Sequence, residues 1–162
     1  VRLDVGHLGG FDARARLLKQ VAVPERLMPR QRAGVIARLR SNWHDGAIKM
    51  YALRRLLQLR AAHPALFEKG GYRPMEVRGV EHDAAIAFER TAGRKRMIVV
   101  AILRARRFRA LAGKARIPLP EDMPAAFTDV LTGRQYTGSP VRGGQLLEQL
   151  PAAVLVNSAP PP

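Results

Sequence analysis

The hydrophobic period of this chain changes near residue 67, and that change constrains its fold more than any other feature. Before it, apolar residues recur at helical spacing. Phe11, Ala15, Leu18 and Ala22 form one such row, and Pro24 closes it. Pro29 suits the first turn of a second helix, whose body RQRAGVIARLR carries Val35, Ile36 and Leu39 as its apolar stripe. A third helix follows the turn NWHDG, where Asn42 or Asp45 can accept the free amides of its first turn. Its expected stripe is Ile48, Ala52, Leu56 and Leu59, widened by Leu53 and Leu57, with Lys49, Arg54, Arg55 and Arg60 mostly on other faces. Pro64 ends it near His63, because a residue that precedes proline avoids the helical region.

After Phe67 the pattern is that of strands. In YRPMEVRGV, Met75 and Val77 fall on one side and Glu76 and Arg78 on the other. DAAIAFERT reads as a strand with Ile86 and Phe88 on one face, and AGRKR as a hairpin turn. The seven apolar residues of MIVVAIL predict a central strand buried on both faces. ARIPLP suits an edge, since proline cannot donate to a central ladder. FTDVLTGRQYTG reads as strand, turn and strand, and AAVLV as a closing strand. The expected class is therefore α+β: a helical segment over 1–67, an antiparallel β domain over 68–157 of sandwich or barrel type, and a disordered tail over 158–162.

Charge is the other conspicuous property. The 28 basic and 13 acidic residues leave a net charge of +15, which suits a polyanionic partner. All but five of the basic residues are Arg, however, and they are spread from Arg2 to Arg142, densest in RARRFRALAGKAR. A nucleic-acid binder of the common classes would carry a zinc, RNP or recognition-helix signature, and none is present. A solvated or partner-facing basic surface is the simpler expectation.

Little catalytic chemistry is visible. The chain has no cysteine, so disulfides, thiolate metal sites and thiol nucleophiles are excluded. Its four histidines lack metal-ligand spacing, and no metal or cofactor is expected. The glycine pairs at 9–10, 70–71 and 143–144 lack a phosphate-loop context. No GxSxG frames any of the three serines, and no local motif nominates a carboxylate pair for glycoside chemistry. His63 is expected at a helix end, beside terminal carbonyls. Asp4 and His7, in the glycine-rich opening loop, are candidate ligand contacts. Trp43 is the one indole and hence a candidate glucan-stacking platform, although its place before the helix better suits a cover for the core. No run approaches the ~18 apolar residues of a membrane span, and the opening residues lack a signal peptide's apolar stretch, so a cytoplasmic location is expected. The initial Val suits a fragment, a processed product or a GTG start.

Several blocks taken together resemble one family. NWHDGAIKMYALRRLLQLRAAHPALFEKGGYRPMEV is similar to the C-terminal region of maltooligosyltrehalose synthases, with Trp43, Asp45, Gly46, Ile48 and Lys49 matching its aromatic-DGRIK turn. His63, Pro64, Leu66 and Phe67 match its HPxLF stop, and Gly71, Tyr72 and Pro74 its next strand. AIAFER, MIVVAILRA, FTDVLTGR and LLEQLPAAVL resemble the later strands in the same order. Ala47 stands where the family usually has Arg. The opening DVGHLGGFD keeps the flanking aspartates of the family's DPDNRRPVD-like loop, Asp4 and Asp12, but not its polar interior.

The resemblance implies an α-amylase-clan glycoside hydrolase that converts the reducing-end α-1,4 bond of a maltooligosaccharide into an α,α-1,1 bond. Its three catalytic carboxylates lie on a (β/α)₈ barrel, in segments upstream of any matched here, so no catalytic residue is assigned to this chain. The helices would be the end of that barrel and its connection, and the strands a sandwich like the C-terminal domain of the clan. The implied partners are a catalytic barrel and, through it, a glucan. A stand-alone glucan-binding or scaffold domain is the alternative, ahead of a nucleic-acid binder.

Overall fold

The computed structural model describes residues 15, 18, 19, 21, 27–120 and 126–157. Ala15, Leu18 and Lys19 are helical, as the first apolar row predicts. Helix α1 spans Pro29–Ser41 with Pro29 in its first turn, and the Gln31 side chain accepts the Met28 amide at 3.1 Å. A 3-10 turn, Trp43–Asp45, leads through Gly46, at φ +77°, into α2, Ala47–Ala62. The left-handed glycine lets the chain reverse without a side-chain clash, and the Asp45 carboxylate accepts the Ala47 amide at 2.7 Å. His63 separates α2 from the short helix α3, Pro64–Glu68.

Eight strands follow: β1 Gly71–Met75, β2 Ala85–Ala92, β3 Lys95–Ile102, β4 Arg116–Ile117, β5 Phe127–Asp129, β6 Gln135–Tyr136, β7 Val141–Arg142 and β8 Ala152–Asn157. Two short helices lie among them, α4 Ala105–Leu111 and α5 Gly143–Leu146. Six strands make one antiparallel sheet in the order β1-β2-β3-β8-β5-β6, and β4 pairs with β7 separately. The β2–β3 hairpin turns in two residues, with Gly93 at φ +56° in the first loop position. The chain is thus mixed helix and sheet with an antiparallel six-stranded core, in keeping with the α+β class.

The sheet is packed on both faces. Ile98 and Val100 of β3, with Ala153 and Leu155 of β8, meet Phe108 of α4, Ile117, Val141 and Leu146. Met97 of β3, with Val154 and Val156 of β8, meets Ile36 and Leu39 of α1, Tyr51 and Leu59 of α2, and Leu66 of α3. The apolar run MIVVAIL sits at the centre because β3 feeds both cores. Met75 and Val77 turn to the same core, as their alternation predicts, although β1 ends at Met75.

The expected face of α2 is rotated, although Ile48, Ala52 and Leu56 still pack against the core. On α2 the fully buried residues are Ala47, Tyr51 and Leu59, while Ile48, Ala52 and Leu56 are only half-buried and Leu53 and Leu57 are exposed. The helix is rotated because two polar-tipped side chains find acceptors inside. The Tyr51 hydroxyl donates to the Leu131 carbonyl, and Arg55 Nε donates to the Val130 carbonyl at 3.1 Å. On β2 Ile86 and Phe88 share one face, as expected, but it is the less covered one, and the buried row is Ala85, Ala87 and Glu89. Glu89 is tolerated there because Arg73 and Arg96 reach its carboxylate at 2.7 and 3.1 Å from the two flanking strands. Helix α4 falls in the basic stretch RARRFRALAGKAR, and Phe108 is its only buried residue.

Candidate functional site

Of the three candidate ligand contacts, Asp4 and His7 lie outside the described residues. Trp43 is described, and its expected role as a core cover is corrected. Its side chain is 60% exposed, and its ring stacks on the neighbouring His44 with centroids 3.9 Å apart. The cause is local: the NWHDG turn reverses before α2 begins, so residues 43–45 stand beyond the end of α1 instead of beneath it. His63 takes the helix-end position expected of it, at the C-terminus of α2, with its amide bonded to the Leu59 carbonyl at 3.0 Å. Burial, aided by the charge of Lys95, holds its imidazole below its ordinary pKa.

Two of the sequence blocks noted above are built into joints between helices and sheet. Arg90, of AIAFER, donates to three carbonyls at the end of α3: Leu66 at 2.9 Å, Phe67 at 3.0 Å and Gly70 at 3.1 Å. Asp129, of FTDVLTGR, is wholly buried. It accepts the Thr132 hydroxyl at 2.6 Å and the amides of Leu131 and Val154 at 3.1 Å each. Burial pushes its pKa up, against those hydrogen bonds, which pull it down. A carboxylate so enclosed, with its oxygens engaged, organises the β5–β6 turn and offers nothing to a substrate. Gly133, at φ +73° in the same turn, lies under the buried Arg32 of α1; a Cβ there would come within 3.0 Å of the guanidinium.

Among the described residues, no group of three or more histidine and acidic side chains is placed to hold a metal ion. Nor is any described helix long and apolar enough to cross a membrane.

What the surface does offer is apolar and aromatic. The outer side of α2 presents Leu53 and Leu57, which with Leu18, Met50 and Ala61 line a shallow groove of about 430 Å³. Across the β1–β2 ladder, Tyr72 stands over Phe88 with ring centroids 5.2 Å apart, beside a second groove. No local sequence pattern signals that pair. Its members are sixteen positions apart, and they meet only in the register that sets Pro74 opposite Phe88.

No protein-family model matches the chain, and a search of curated proteins finds no match.

Proposed function

We propose that this chain is the C-terminal portion of a maltooligosyltrehalose synthase-like enzyme, and that it buttresses a catalytic (β/α)₈ barrel without supplying the reacting carboxylates. Within the parent enzyme the helices would be the end of the barrel and its connector, and the strands the sandwich of the α-amylase clan. The reading starts from the order and spacing of the motifs from Trp43 to Leu155. One structural observation supports it most. Of eight large apolar side chains that are exposed among the described residues, five belong to the helical segment: Leu18, Met28, Trp43, Leu53 and Leu57. A helical layer that is packed on a sheet by one side and apolar on the other suits a connector held between two bodies. The structural use of Arg90 and Asp129 fits as well, because joints of this kind tie a sequence pattern to packing instead of to chemistry.

Two measurements test the proposal. The purified chain incubated with maltopentaose should form no non-reducing product. Mixed with a maltooligosyltrehalose synthase truncated before the matching segment, it should co-elute on size exclusion, and Leu53→Glu with Leu57→Glu should abolish co-elution at unchanged melting temperature. Turnover by the chain alone, or no association, overturns the proposal.

A further inference from the structure

The groove beside Tyr72 and Phe88 has a composition unlike the rest of this surface. It runs along the β1–β2 edge of the sheet, where Tyr72, Pro74, Ile86 and Phe88 share one face of the ladder. Helix α3 reaches Arg90 of β2, but farther along the strand Phe88 is half-buried and Ile86 is 43% exposed. Tyr72, on the edge strand, is 62% exposed, and its ring is tilted 35° to that of Phe88. Pro74 continues the apolar wall, and Glu76 and His82 supply its polar rim. The groove is about 360 Å³, within the ~300–1,000 Å³ typical of small-ligand sites.

Its charge separates the possible occupants. The chain carries 28 Lys and Arg residues, yet none lines this groove among the described residues. Arg78 lies nearest the rim acid, 3.7 Å from the Glu76 carboxylate, and both side chains are more than two-thirds exposed. That distance is beyond hydrogen-bonding range, so the carboxylate keeps its acceptor sites. A nucleic acid could stack on Tyr72, but the groove lining offers its phosphates no cation, and Arg78 at the rim is paired with Glu76. The chemistry that fits is an apolar ring face for Tyr72 together with hydroxyl donors for Glu76 and a donor or acceptor for His82.

We infer that this groove binds a neutral saccharide chain, one sugar ring stacked on Tyr72 and its hydroxyls bonded to Glu76 and His82. The preference for a neutral saccharide comes from the groove itself; the choice of an α-1,4-glucan rests on the proposed function.

The test is calorimetric titration of the whole chain with maltoheptaose and, separately, cellohexaose. Maltoheptaose should bind, Tyr72→Ala should weaken binding roughly tenfold or more at unchanged melting temperature, and Glu76→Gln should weaken it several-fold. Leu103→Ala, at an exposed residue outside the groove, should change nothing. Binding of cellohexaose alone would keep the groove as a saccharide site and count against the trehalose-enzyme reading. The inference falls if neither sugar binds at millimolar concentration, or if Tyr72→Ala binds as wild type does. It falls equally if sedimentation shows that Tyr72→Ala disperses a dimer, which would give the groove to a second copy, or if a single-stranded oligonucleotide occupies it.

Discussion

The carboxylate of Asp129 is closed off from solvent and accepts two amides and a hydroxyl. Asp129→Ala leaves those donors buried and unsatisfied, and should lower stability by about 3 kcal/mol, read from urea denaturation. The pH dependence has a definite sign. Burial raises the folded-state pKa above its unfolded value, so the folded protein holds the proton more tightly. The resulting stability is complete below the unfolded value and is lost as pH rises through the folded one. Relative to Asp129→Asn, which does not titrate, the wild-type urea midpoint should therefore fall as pH rises from about 4 and then level off. A difference independent of pH would refute this.

Arg90 plays the matching part at the level of elements. One guanidinium bonds three carbonyls at the end of α3, joining the helices to β2. Arg90→Lys offers a point charge instead of a planar fork and should lose about 2 kcal/mol in chemical denaturation, most of the loss expected for Arg90→Ala. Elements were legible in the sequence where hydrophobicity alone decides them. The β3 run is apolar throughout because both its faces are buried, and Pro29 marks the start of α1 and Pro64 the end of α2 through backbone geometry alone, although nothing in the sequence pattern signals the short helix α3 that Pro64 opens. Legibility fails where a polar group satisfies itself at a distance. Tyr51 and Arg55 lie in the α2 row that faces inward, and their acceptors, Leu131 and Val130, are 75 or more positions away. No helical period can report such partners. The candidate site fared likewise. Trp43 stands outside because of a turn, and the Tyr72–Phe88 platform depends on strand register.

The whole molecule carries a charge of +15 on 162 residues, and its basic groups are only partly matched by acids. Arg104 and Arg107 share Asp83, and Arg134 holds Glu148, but such exposed pairs contribute little each. Self-repulsion then dominates the long-range field. Raising ionic strength from 0.01 M to 0.15 M shortens the screening length from ~30 Å to ~8 Å and should raise the melting temperature by a few degrees. A fall on adding salt would mean that net attraction between charges holds the fold.

Because neighbouring residues of β3 and β8 are divided between the two cores, one face of the sheet is covered from within the β domain and the other depends on the helices upstream of β1. A recombination joint placed between α3 and β1, where composition changes, would strand Met97, Val154 and Val156 in water. The segment that can be grafted, swapped or inherited as a working piece therefore begins upstream of α1. Gene truncations that fall at the visible seam would be purged at the level of folding, before any question of activity arises.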